Sequence, residues 1–227
     1  MDAYTTTVKF FQEGGLFMYP IAMVLALGFA IAIERWVYLT LTTAKNKALW
    51  NAVAPFLKAG NLAGAVQVTS KSGAAIGQIM TYGLNRVRSA RRREDVEQAM
   101  EESLMEVMPR LEKRTHYLAT FANIATLLGL LGTIVGLISA FTAVATANPA
   151  EKADLLSASI SVAMNTTAFG LIVAIPLLLV HTLLQTKTTE IVDSLEMASV
   201  KFLNVITERA GGEPQPAAPQ AKPKTAG

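Results

Sequence analysis

Three apolar runs decide what this chain can fold into, because each is long enough to cross a bilayer. They extend from about Leu16 to Leu39, from Leu118 to Thr146 and from Ile160 to Leu184. A crossing helix needs about 20 apolar residues, and all three runs reach that length. Hydrophobic residues make up 52% of the 227, and the mean hydropathy of +0.37 is high for a soluble chain of this size. The expected class is therefore an all-α membrane protein with three transmembrane helices. The first run differs from a secretory signal. Asp2, Lys9 and Glu13 precede it instead of a positive cluster, and it leads into "IERWVYL" rather than a small-residue cleavage site. It reads as a retained anchor.

Orientation follows from lysine and arginine, which accumulate in the cytoplasmic loops beside membrane helices. Lys45, Lys47, Lys58, Lys71, Arg86, Arg88, Arg91, Arg92, Arg93, Arg110, Lys113 and Arg114 lie between the first two spans. Only Lys152 lies between the second and third. The amino end is thus expected outside, with the long middle loop and the tail in the cytoplasm. The sequence pI near 9.2 then reflects topology, and nucleic acid is not an expected partner. There is no cysteine, which excludes disulfides, thiolate metal sites and a cysteine nucleophile.

The expected layout begins with an interfacial segment at 1–15, where Phe10 and Phe11, with Phe17 and Tyr19 beyond it, lie near the outer headgroups. Spans follow at 16–39, 118–146 and 160–184. They are separated by a cytoplasmic helical loop at 40–117 and a periplasmic connection at 147–159. Trp36 and Tyr38 suit the inner boundary belt, and Glu34 with Arg35 reads as an interfacial pair with a snorkelling arginine. Within the loop, short helices should join at Gly60-Asn61 and Lys71-Ser72-Gly73. Val96, Met100, Leu104, Val107, Leu111 and Leu118 recur at helical spacing with charges opposite. That pattern predicts one helix from about Glu94 to Ala145, roughly 75 Å long, bent at Pro109. "ARRRED", Ala90 to Asp95, reads as its solvated start, with anionic lipid headgroups as the lesser alternative. After the third span, Ile191, Leu195, Ala198 and Phe202 share one face of a cytoplasmic helix to residue 210. The tail at 211–227 lacks apolar periodicity and is expected to be disordered.

The chemistry concentrates in the second and third spans. "LLGLLGTIVGL" places Gly129, Gly132 and Gly136 where another helix can approach closely, with Thr133 among them and Thr126 on the same face. In the third span Ala163, Thr167, Gly170 and Ala174 make a matching stripe of small residues. Asn165 and Thr166 add polar groups, and Thr166 lies about 100° around the helix from Thr167. Pro176 frees a carbonyl near Ile172. Each threonine could simply bond within its own bundle, an interaction worth about 0.6 kcal/mol on average. Two small stripes with a threonine at similar depth instead fit a narrow pore wall able to order water or solvate a cation.

Absences narrow the class further. No span carries an Asp, Glu, Lys, Arg or His near its middle, although proton-driven machines usually place an ionisable group in the membrane. A conducted proton would therefore need a carboxylate from another polypeptide. His116 and His181 lie near span ends, where an interfacial role is the simpler reading and a proton relay the alternative. No nucleotide loop, metal-ligand cluster or Ser/His/Asp arrangement is visible, so neither an enzyme nor a cofactor is expected.

"GLLGTIVGL" (Gly129–Leu137) and "TTAFGLIVAIP" (Thr166–Pro176) resemble the ExbB/TolQ/MotA family of ion-driven motor proteins, and three spans with a large cytoplasmic loop suit its ExbB/TolQ branch. The resemblance implies a homopentamer around a central pore in a bacterial inner membrane. It also implies a single-span ExbD/TolR-like partner supplying a membrane aspartate, and a TonB-like protein downstream. Thr133 and Thr167 fall on the family's pore-lining threonines, with Thr166 an extra one. Proton passage at the aspartate would drive rotation, at about 2.3 kcal/mol per charge per 100 mV. Where the family usually has a glutamate before the third-span motif, this chain has Val162, which leaves sodium open as the coupling ion. A gliding or other motility motor, a passive membrane scaffold and a free-standing cation channel remain alternatives.

Overall fold

The computed structural model describes Phe10, residues 14–87, 89–90 and 92–210, with side chains as far as Thr207. Phe11, Arg88, Arg91 and the tail at 211–227 lie outside the described residues, as does nearly all of the expected interfacial segment. Among the described residues the chain forms helices α1 Met18–Ala59, α2 Leu62–Ser70, α3 Ala75–Val87, α4 Arg93–Glu112, α5 Thr115–Thr146 and α6 Lys152–Ala210. The segments Met18–Ala59, Arg93–Thr146 and Lys152–Thr207 each hold a stretch long and apolar enough to cross a membrane.

Three boundaries differ from the sequence reading, each for a local reason. First, α1 does not stop at the end of its apolar run and continues through Pro55 to Ala59. It ends where Gly60 turns to φ +76°, a conformation glycine enters without steric cost. The Gly60 and Asn61 N–H groups then donate to the carbonyls of Leu57 and Phe56 at 3.1 and 2.9 Å. Asn61 also caps α2, its side chain accepting from the Gly64 N–H.

Second, the single long helix expected from Glu94 to Ala145 is two helices. Pro109 stays inside α4. The break follows it, at Lys113-Arg114, where Arg114 takes φ 66° and the Lys113 N–H donates to the Pro109 carbonyl at 3.0 Å. Third, α6 begins at Lys152, inside the expected connection, with Asp154 in its first turn where the helix dipole favours an acid. It then runs unbroken through Pro176.

The contacts divide the chain into two compact units. The first comprises the described residues up to Leu41 with Pro109–Glu190. Its interior is built from Met18, Ile21, Leu39, Leu118, Ala122, Ala125, Val173, Ala174, Leu177 and Leu184. Helix α1 packs on α6 at Gly28, where a Cβ would meet Leu177 Cδ2 at 2.7 Å. The opposite faces of the helices carry bare apolar side chains: Leu127, Ile138, Phe141 and Leu179 are each more than 60% exposed. A surface of that kind meets lipid tails or other apolar helices rather than water.

The second unit comprises Thr42–Met108 and the chain from Ile191 onward. Val96, Met100 and Val107 of α4 and Ile191, Leu195, Ala198 and Phe202 of α6 are all buried, as their spacing predicts. Gly83 of α3 provides the close approach, since a Cβ there would meet Met100 Cγ at 2.8 Å and Phe202 Cε1 at 3.1 Å. Asn46 accepts the Ile76 N–H at the start of α3 at 3.2 Å.

Candidate ion-pathway site

Small residues bring α5 and α6 together backbone to backbone. A Cβ on Gly170 would lie 2.7 Å from the Ala125 carbonyl oxygen and 3.1 Å from the Gly129 Cα. A Cβ on Gly129 would lie 3.2 Å from the Thr167 Cα, and one on Gly136 2.9 Å from the Ala163 Cβ. As one helix is followed forward its partners run backward, so the pair is antiparallel. The buried residues Ala163, Gly170 and Ala174 continue the α6 stripe, whereas Pro176 is exposed. Such contacts allow van der Waals packing and interhelical hydrogen bonds where lipid gives no hydrophobic drive.

The polar residues of the two stripes have distinct surroundings. Thr167, half-buried, donates its hydroxyl across the crossing to the Gly129 carbonyl at 2.9 Å. Thr133, also half-buried, donates to the Leu130 carbonyl of its own helix at 2.6 Å. Each hydroxyl oxygen keeps lone pairs able to face a cation or water. Thr166 is different. It is only 2% exposed, donates to the Gly14 carbonyl at 2.6 Å, and stands 2.9 Å from the Val162 carbonyl. Its Cβ would be 3.0 Å from a Cβ on Gly132. Thr166 therefore fastens the turn at Gly14-Gly15 to α6 within one protomer. Val162 packs on the same turn, its Cγ1 lying 3.1 Å from a Cβ on Gly15. Asn165 is half-buried with no hydrogen-bond partner among the described residues.

The interfacial pair read at Glu34-Arg35 is corrected. Arg35 is 2% exposed and does not snorkel out of the unit. Its guanidinium donates to the Leu111 carbonyl and lies 4.9 Å from the Tyr38 ring centroid. Glu34 pairs with Arg114 at 3.1 Å. Lys187 of α6 places its ammonium 4.5 Å from the Trp36 ring and donates to the Thr40 hydroxyl at 2.6 Å. A charged residue beside a span edge has two readings in sequence, outward or inward. Here the carbonyls left unpaired at the end of α4 select the inward one. His116 and His181, far apart in sequence, line one cavity. Among the described residues, no group of three or more His, Asp or Glu could hold a metal ion.

The sequence profile described as the MotA/TolQ/ExbB proton channel family matches residues 71–197. A biopolymer transport protein ExbB homolog of Methanothermobacter thermautotrophicus is 28% identical over 199 residues, covering 87% of this chain and 69% of that protein. The Tol-Pal system protein TolQ of Haemophilus influenzae is 30% identical over 103 residues, 45% of each chain. The biopolymer transport protein exbB1 of Vibrio cholerae is 47% identical over 53 residues, 23% of each. In these last two the match spans less than half of the relative's own length.

Proposed function

This chain is a multi-pass membrane protein belonging to the MotA/TolQ/ExbB proton channel family, and from that premise we propose that it is the pore-forming subunit of an ion-driven energy transducer. The observation that carries the reading is the Gly129–Thr167 crossing. Two backbones in contact there present hydroxyls at one depth, in spans that lack any mid-membrane ionisable group of their own. The missing carboxylate comes from an ExbD/TolR-like single-span partner enclosed by a homo-oligomer of this chain, a pentamer, in a bacterial inner membrane. The amino end is periplasmic and the carboxyl end cytoplasmic. Thr133 and Thr167 line the path and Asn165 lies beside it, whereas Thr166 holds the Gly14 turn. Apolar faces left bare on all three spans support both lipid contact and assembly with further copies. The work delivered is envelope or outer-membrane transport through a TonB-like protein, since three relatives carry biopolymer-transport or Tol-Pal names.

Native mass spectrometry of the complex drawn from its own membranes tests the assembly. Five copies with one or two single-span chains are expected, and a ring that never carries a second chain would turn the reading to a scaffold or a stand-alone channel. Thr167→Val tests the pore. It should abolish ion-dependent activity with the assembly intact, and retained activity would leave Thr167 as packing alone.

A further inference from the structure

We propose that the cavity lined by Glu112, Thr115, His116, His181, Gln185 and Thr189 is a hydrated chamber at one end of the ion path, in which His116 and His181 pass protons. The proposal rests on the pore reading above and extends it to a second site. The cavity lies wholly within the first unit and has a volume of about 250 Å³. At about 30 Å³ per molecule in the liquid, that is room for several waters.

Two independent observations point to its contents. Thr115, which lines it, is 6% exposed, yet its hydroxyl oxygen has no hydrogen-bond partner among the described residues. Buried hydroxyls in native proteins are almost always paired, with protein or with ordered water, so a water in this polar cavity is the missing partner. The second observation is position. Thr115 lies eighteen residues from Thr133 on α5, and Gln185 eighteen from Thr167 on α6. Eighteen residues make five helical turns, so each lies on the same helical face as its threonine, about 27 Å along. His181 and Thr189 flank Gln185 by one turn on either side. The helical faces that carry the two threonines thus continue, past the buried Ala122, Ala125, Ala174 and Leu177, to residues that line one cavity.

Its titratable lining groups are Glu112, His116 and His181. Of the charged residues close by in the chain, Arg114 pairs with Glu34 and Lys187 engages Trp36 and Thr40. Arg35 of α1 donates to the Leu111 carbonyl, and Lys113 and Glu190 adjoin the lining residues Glu112 and Thr189 in sequence. A neutral imidazole accepts a proton from hydronium on its bare ring nitrogen, leaving water, and releases the other nitrogen's proton to the next water, forming hydronium; a turn of the ring restores the starting tautomer. The chamber so built exchanges hydronium between the threonine crossing and the aqueous side.

The test uses the complete complex, purified with its partner chains and reconstituted in vesicles, with proton uptake followed by a pH-sensitive dye. His116→Ala/His181→Ala should lower uptake by about a hundredfold, the scale of a lost proton-transfer group, and added imidazole, small enough for the cavity, should restore it. His116→Gln/His181→Gln, which keeps hydrogen bonding and bulk, should be as slow and equally rescued if it assembles better. Wild-type uptake in the histidine variants, or a loss that imidazole leaves untouched, overturns the relay. Thr167→Val separates the two readings. If it abolishes uptake while the histidine variants conduct normally, the pore stands and the relay falls. If it conducts normally, the pore reading itself fails.

Discussion

The Thr167 hydroxyl donates to the Gly129 carbonyl across α5 and α6 at 2.9 Å, one helical turn from where a Cβ on Gly170 would press on the Ala125 carbonyl at 2.7 Å. The proposed ion path and the packing therefore share one crossing. A Cβ at position 170 would force backbone to shift, and one at 129 would need the facing backbone to give by a few tenths of an ångström.

Gly170→Ala should accordingly destabilise the protein by about 1–3 kcal/mol, the usual cost of overpacking a filled site. The obstructing atoms belong to backbone, which cannot rotate aside. A thermal melt in detergent reads the loss. Gly73→Ala is the control, since nothing lies within 4 Å of a Cβ there. Equal melting of both variants would contradict the close approach.

Thr166→Val keeps the side-chain shape and leaves the Gly14 carbonyl without its donor. A buried polar group stranded in this way costs about 1–3 kcal/mol, so the melting temperature should fall. Thr166→Ser retains the donor and should fall less. Because Thr166 is turned into its own protomer, ion flux per assembled complex should drop far less than in Thr167→Val. Equal loss of flux would place Thr166 on the path after all.

Arg35→Met removes the charged donor from the Leu111 carbonyl at the end of α4. A hydrogen bond from a charged group contributes about 1.5–3 kcal/mol, and Met supplies only the stem. Faster amide exchange at residues 111–115 and a lower melting temperature are expected. Arg35→Lys keeps a charged donor on a flexible stem and should recover part of the loss. Unchanged exchange would mean the break at Lys113-Arg114 holds without Arg35.

Arg114→Gly exchanges two small effects of opposite sign. The left-handed conformation at φ 66° costs a non-glycine residue about 1–2 kcal/mol, which glycine avoids. The lost ion pair with Glu34 is half-exposed on both sides, and such pairs contribute about 0.2–1 kcal/mol. Relief outweighs the pair, so the variant should melt at or slightly above the wild-type temperature. A clear fall would show that the Arg114–Glu34 contact matters more than its exposure allows.

The sequence by itself determined the class of the protein and the material of its candidate site. Apolar runs of bilayer length dictate spanning helices whatever they pack against. Helical periodicity marked Ile191, Leu195, Ala198 and Phe202 as one buried face, because a 3.6-residue repeat is a property of the local chain. Gly129, Gly132, Gly136 and Thr167 were legible for the same reason, since small residues in a span have few other uses. What the tertiary structure decided are choices between two locally equivalent states. Thr166 and Thr167 are chemically identical neighbours, and only the Gly14 carbonyl makes one a fastening. Arg35 turns inward because α4 ends beside it with unpaired carbonyls, and α4 ends there, rather than at Pro109, because Arg114 adopts a backbone state that no residue-by-residue preference predicts. His116 and His181 face one cavity only once two helices lie side by side. Each of these depends on partners distant in sequence, and no pattern within one helix carries that information.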